Sequence, residues 1–143
     1  MAECIFDRIR DGDAPGHLVL DEPEVLAFLD TRPLFPGHTL VIPRRHVAVL
    51  ADLDVQTAAA VWGAGRRIAA ALRPALGAGG AFLALNDEVS QSVAHVHLHV
   101  VPRRLKDGLH GFFWPRSRYD SDEQAAGVAA SIAAALAPAA AGR

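Results

Sequence analysis

Three histidines alternate with apolar residues in Val93-Ala-His95-Val-His97-Leu-His99-Val-Val101. In extended chain successive side chains point to opposite sides. His95, His97 and His99 therefore share one face, and Val96, Leu98 and Val100 share the other. A helix would turn the rings by about 200° at each step of two, so the spacing predicts a strand. Imidazole changes its protonation near neutral pH and is a good nucleophile towards phosphorus. The rings could be hydrogen-bonded polar groups with no chemistry of their own, but the unbroken apolar alternation opposite them argues against that. They could ligate a metal, but rings at i, i+2 and i+4 spread over roughly 13 Å of strand and close poorly on one tetrahedral ion. The preferred reading is phosphate chemistry, with one ring attacking phosphorus while its neighbours donate hydrogen bonds to the phosphate oxygens.

The elements that must position this row are legible around it. Glu24 to Asp30 reads as a strand, the Arg32-Pro33 and Pro36-Gly37 pairs as a turn, and His38 to Pro43 as a second strand paired antiparallel to the first. A helix follows, capped by Asp52 or Asp54. Val61, Gly65, Ile68, Leu72 and Leu76 lie on one stripe of it, and Gly77 stops it. Pro74 predicts that its last turn is bent or already ending. Ala81 to Asn86 reads as a third strand, Asp87 to Gln91 as a loop, and Ser92 to Val101 as a fourth strand closed by Pro102. Asp122 to Leu136 is helix-forming by its alanine content, and residues 137–143 read as a frayed tail. Adjacent strand pairs with two helices make an α+β fold with an antiparallel sheet, the apolar face of the histidine strand lying on the long helix.

The chain has 143 residues, 14 Lys+Arg against 16 Asp+Glu, a net charge of −2 and a pI near 6.4. That length fits a single domain. Its charge does not supply the cationic surface that a nucleic-acid groove or an anionic membrane face requires, so neither partner is expected. The long uncharged stretch from Ala125 to Ala141 is mostly alanine, is broken by Pro138, and is a poor membrane span. One cysteine, Cys4, gives no intramolecular disulfide, and the N-terminus does not read as a signal peptide, so a cytoplasmic protein is expected. Gly77 to Gly80 lacks the Lys-Ser/Thr of a P-loop and reads as a turn.

The sequence resembles the histidine triad (HIT) family of nucleotidyl hydrolases and transferases. The resemblance rests on the triad and on further blocks in family order: Cys4-Ile-Phe, Val25 to Asp30, Pro36 to Pro43, His46, Asn86 and Gln91-Ser-Val93. It covers about residues 4–104, with an arm and helix at about 105–137. It implies a five-stranded antiparallel sheet with two helices, paired in a homodimer. It also implies hydrolysis or transfer at the α-phosphate of a purine nucleotide conjugate such as a phosphoramidate, acyl adenylate or dinucleoside polyphosphate. No redox cofactor or catalytic metal is implied. The neighbouring expectations are a phosphorylase-type nucleotidyl transferase and a nucleotide- or partner-binding module without catalysis, which the intact His97 disfavours.

By resemblance, His97 is the nucleophile that becomes nucleotidylated. His95 orients it, His99 binds phosphate oxygens, and His38 is a fourth histidine facing the triad. Asp30 would bind the ribose hydroxyls, although Asp there also reads as a turn initiator. Phe28 and Ile9 are candidates for the base pocket, or plain core. Asn86, Gln91 and Ser92 match phosphate-contacting positions, or are turn residues with local bonds. Ser90 stands where the family usually has glycine before the Gln, which would narrow a close backbone approach to phosphate. Many bacterial members hold a structural zinc, and the matching positions here are Cys4, Asp7, His46 and His95. Asp7 replaces a cysteine, so a softer ligand is lost and affinity should fall. Trp114 and Arg116, in an aromatic and basic segment after the triad, either approach the active site of a partner copy or form a packed arm.

Overall fold

The computed structural model describes residues 3–109 and 116–136. The chain forms two compact units, 1–105 and 106–143. The first unit carries a helix α1 (Ile5–Asp11), strands β1 (Leu18–Asp21), β2 (Val25–Leu29) and β3 (Thr39–Pro43), a short 3₁₀ turn (Leu50–Asp52), the long helix α2 (Val55–Leu76), and strands β4 (Gly80–Ala84) and β5 (Leu98–Arg103). The five strands make one antiparallel sheet in the order β1-β2-β3-β5-β4. The second unit holds α3 (Asp122–Ala135), capped by the Ser121 hydroxyl accepting from the Gln124 amide. Trp114 and residues 137–143 lie outside the described residues.

Strand alternation splits the sheet into two chemically different faces. Ala27 pairs with Val41 and Val41 with Leu98. These residues, with Val25 and Val100, pack on Val61, Ala64, Ile68 and Leu72 of α2. Leu26 pairs with Ile42, Phe28 with Leu40, and Leu40 with His99. That second face carries Phe6 of α1 over Leu26, Phe28, Leu40 and Ile42. The apolar half of the histidine segment therefore lies on α2 as its alternation requires, and the rings look the other way.

The long helix follows its sequence signals closely. Asp54, the second of the two candidate caps, accepts from the Thr57 amide at 2.8 Å. Gly77 ends the helix with φ of 68°, a left-handed conformation that favours glycine. Pro74 does not end it. The helix runs on to Leu76, because losing one backbone donor in a helix already docked by its buried stripe is tolerated. Gly65 lets α2 approach the sheet: a Cβ there would stand 2.6 Å from Leu98 Cδ2. Gly65→Val should therefore cost about 1–3 kcal/mol by overpacking. A denaturant midpoint equal to wild type would contradict that packing.

Four boundaries differ from the sequence reading. The helix count rises to three α-helices among the described residues, because α1 has only seven residues and too little periodicity to be seen. Strand β1 has four residues, two of them, Leu18 and Val19, about half exposed, and it gave no clear alternation. Strand β4 ends at Ala84, short of Asn86. Strand β5 begins at Leu98 rather than near Ser92 and runs through Pro102 to Arg103. Beyond Val100 its pairing with β3 ends, so the missing donor of Pro102 falls on an open side. Before Leu98 the chain stays free of the ladder because its groups are used elsewhere: the Val96 amide bonds the Val47 carbonyl, and the His95 carbonyl takes the His97 ring.

Candidate active site

Four histidine rings stand together at the edge of this face. His97 and His99 have ring centroids 4.9 Å apart, and His38 and His99 5.1 Å apart. His95, His97 and His38 are buried and His99 is partly buried. Their neighbours fix which nitrogen of each ring carries the proton, because a carbonyl only accepts and a backbone amide only donates. His97 Nδ1 lies 2.7 Å from the His95 carbonyl, so Nδ1 holds the proton and Nε2 keeps a free lone pair. The Leu34 amide donates to His38 Nδ1 at 3.1 Å, so His38 carries its proton on Nε2. That Nε2–H donates to His99 Nδ1 at 2.9 Å, which leaves the His99 proton on Nε2. The row thus presents one unprotonated nucleophilic nitrogen on His97 beside one N–H donor on His99. An attacking ring and an oxyanion donor are what substitution at phosphorus needs.

Burial pushes the pKa of His97 below its ordinary value of 6.5, only partly offset by the bond to the His95 carbonyl and the Asp30 charge. Burial does the same for His38, against a partial opposing pull from Asp30. His99 is pushed down to about 4 by burial and by the neighbouring His97 and His38. The neutral rings assigned from hydrogen bonding are therefore also the forms present at neutral pH.

Asp30 lies just past β2 with one oxygen 3.7 Å from His38 Nε2 and the other accepting from the Arg32 amide at 2.9 Å. The turn reading of Asp30 holds, since that bond uses one oxygen, and the other oxygen faces the histidines. Phe28 is 2% exposed beneath Phe6, and Ile9 packs partly buried against the same cluster. Asn86 is exposed just after β4, and Ser92 is exposed in the loop before the triad. The Gln91 amide group donates to the Ala48 carbonyl at 2.8 Å, tying that loop to the segment before α2. Asp87 accepts from the Leu50 amide at 2.7 Å and ties its other end. Ser90 has φ of 63°. That left-handed backbone accounts for a glycine preference at the position without invoking contact with phosphate.

A second cluster adjoins the first through His95. Cys4, Asp7, His46 and His95 each offer a ligand atom within 4.8 Å of the others. Cys4 caps α1, its sulfur accepting from the Asp7 amide while the Asp7 carboxylate accepts from the Cys4 amide. His95 Nε2 donates to the Pro43 carbonyl at 2.9 Å, so its Nδ1 turns a lone pair towards Cys4 Sγ at 3.4 Å and Asp7 at 3.5 Å. His46 Nδ1 lies 2.8 Å from Asp7. Burial would raise the Asp7 carboxyl, but the bonds from Cys4 and His46 outweigh it and hold it at about 2. A lone pair, a carboxylate and a sulfur converging on one point suit a divalent cation, and this donor set fits zinc. Asp30, His38 and His99 are similarly close, but there His38 presents an N–H, so that cluster is poorly set to ligate a cation.

The residues that the sequence reading missed are mostly backbone groups. The Leu34 amide and the Pro43 and His95 carbonyls set the ring tautomers, and any residue type supplies them. Phe6 was missed as well, although its ring packs edge-on to His97 at 5.1 Å. Arg10 braces Asp7 at 3.0 Å and reaches the Arg44 carbonyl at 2.8 Å.

The sequence profile described as "HIT domain" matches residues 11–106. An uncharacterised HIT-like protein of Mycobacterium tuberculosis is 40% identical over 126 residues, covering 87% of this chain and 88% of its own length. The adenosine 5'-monophosphoramidase of Schizosaccharomyces pombe is 33% identical over 113 residues, covering 78% and 83%. Among solved structures, a HIT family member from Bacillus subtilis superposes with a TM-score of 0.84 at 33% identity, covering 96% of this chain and 100% of that one. A zinc-bound histidine triad family protein from Mycobacterium smegmatis gives 0.72 at 39% identity, covering 93% and 97%.

Proposed function

The chain belongs to the HIT family, and from that premise we propose that it hydrolyses purine nucleotide conjugates at the α-phosphate through a nucleotidyl-His97 intermediate. The observation that carries this reading is the free Nε2 of His97, its other nitrogen held by the His95 carbonyl, beside the Nε2–H of His99. The His97 lone pair forms a bond to phosphorus, and the leaving group departs with its electron pair and takes up a proton from solvent water. His99 donates to the oxygens on which charge builds, and His38 keeps His99 in its donating tautomer. Water then attacks the phosphorus, the N–P bond breaks back to His97, and a nucleoside monophosphate is released. In this reading Asp30 binds the ribose, Ile9 and Phe28 bound the base, and Asn86, Gln91 and Ser92 lie along the phosphates. The monophosphoramidase activity named for the Schizosaccharomyces relative supports this choice of bond.

The test is chromatography of adenosine phosphoramidate with the purified protein. AMP should accumulate. If neither this compound nor a dinucleoside polyphosphate is cleaved, the hydrolase reading fails and the binding-module reading takes its place. Because attack needs neutral His97 and burial has lowered its pKa, kcat/KM should stay level through neutral pH and fall only below pH 6.5. An acid limb at or above that value would contradict the assignment.

Zinc, where bound, would be held by Cys4, Asp7, His46 and His95 and would stiffen the base of the site rather than take part in the reaction. Burial pushes the Cys4 thiol pKa up, so binding must displace its proton. Freshly purified protein should contain zinc that Cys4→Ser largely loses, as read by metal analysis. Zinc-free wild type would remove zinc from the account. Among the described residues β4 pairs with β5 alone, which leaves an open sheet edge on which the homodimer implied by the family would be able to pair.

A further inference from the structure

His97 is gripped from two directions, and both grips trace back to the Cys4 cluster. From one side the His95 carbonyl takes the His97 Nδ1–H at 2.7 Å. The ring of that same His95 is fixed by the Pro43 carbonyl and meets the Cys4 sulfur at 3.4 Å. From the other side Phe6 meets the His97 ring at 5.1 Å and 78°, while also touching His95 at 6.0 Å and Phe28 at 5.3 Å. Phe6 is 6% exposed, so its ring is confined between the imidazoles and the sheet.

Phe6 sits between Cys4 and Asp7 on the first turn of α1, a helix of seven residues. A helix that short has little stability of its own and is held by its ends and its packing. Its N-terminal end is the Cys4–Asp7 reciprocal cap. Asp7 is tied further to His46 and to Arg10, and Arg10 reaches the Arg44 carbonyl beyond β3. Removing the cap frees the turn that carries Phe6. The orientation of an attacking ring is costly to lose, since a misplacement of about 1 Å lowers rate by about a hundredfold.

We propose that α1 is a clamp on the nucleophile, with Phe6 as a positioning residue that holds the His97 ring in its attacking orientation and the Cys4–Asp7 cap as the anchor that holds Phe6. This rests on the hydrolase reading and adds a task to the cluster: it sets the rate of the chemical step as well as stiffening the fold. An aromatic ring packed edge-to-face against the imidazole restricts its rotation. The clamp therefore acts on kcat, whereas a residue serving only to bind the base would act on KM.

The experiment is steady-state kinetics of AMP release for wild type, Phe6→Leu, Cys4→Ala and the double variant, with folding checked by circular dichroism. Phe6→Leu keeps apolar bulk and so protects the fold. Cys4→Ala removes the capping sulfur, which also meets the His95 ring, and is measured in zinc-stripped protein beside equally stripped wild type so that metal loss does not contribute. Each single variant should lower kcat about 10- to 100-fold with KM within about twofold of wild type. The double variant should lose less than the product of the two, because part of the Cys4 effect passes through Phe6. Ile5→Ala, on the exposed side of α1, should match wild type. A raised KM with unchanged kcat in Phe6→Leu would make Phe6 a wall of the base pocket and overturn the clamp, and strictly multiplicative losses would overturn the link to Cys4. Inactive wild type would instead refute the hydrolase reading itself.

Discussion

If the proposed covalent mechanism holds, His97→Ala should lower kcat/KM for release of nucleoside monophosphate by about ten-thousandfold or more while nucleotide binding survives. The size of the effect follows from the role: a nucleophile has no substitute, and removing one from a covalent mechanism costs as much as removing the machinery around it. The ring's other contacts argue that the fold outlasts the change. His97 makes its hydrogen bond to a carbonyl in its own segment, and its packing partner Phe6 keeps Phe28. His97→Asn supplies a control, because a side-chain amide can still donate to the His95 carbonyl but cannot attack phosphorus. Both variants should bind AMP by calorimetry with affinity near that of wild type. Retained turnover in either would remove His97 from the centre of the account.

Phe28→Ala is the largest expected effect on stability. The side chain is 2% exposed, lies between Phe6 and the β2–β3 face, and packs with Leu26, Leu40 and Ile42. Truncating a buried phenyl ring costs about 3–5 kcal/mol through lost transfer energy and the cavity left behind. The cavity would open under Phe6, which stands 5.3 Å from Phe28 in an edge-to-face pair. Urea unfolding should therefore show a much lower midpoint with an unchanged slope. Phe28→Leu, which fills most of the space, should lose far less. A small loss in Phe28→Ala would mean that the ring is not part of this core.

What the sequence revealed and what it hid divide along physical lines. The α2 stripe and the alternation of His95 to Val100 are periodic signals, and both reappear as buried faces, the stripe from Val61 to Leu72 with Leu76 exposed in the last turn: Leu98 and Val100 lie on the helix, His99 beside Leu40 on the other side. Helix α1 and strand β1 are too short to carry a period, and the cap of α1 uses a cysteine sulfur, an unusual capping group. The strand reading of Ser92 to Val101 had the right alternation and too long a ladder, since extended chain and hydrogen-bonded strand look alike in sequence. The four-ligand cluster came from resemblance alone. Cys4 and Asp7 stand three residues apart and meet His46 and His95 only through the fold. Least legible were the proton positions. The chain from the Leu34 amide through His38 to His99 depends on a backbone group, which leaves no trace in residue type.

The proposed mechanism requires a covalent bond between phosphorus and one imidazole. Rapid acid quenching of the protein with adenosine phosphoramidate, followed by intact-mass analysis and peptide mapping, tests it most directly. The predicted result is a mass increase of one adenylyl group on the peptide that carries His97, absent from His97→Ala. AMP produced at full rate by a chain that never carries the group at any quench time would contradict it, as would an adduct mapped to another residue.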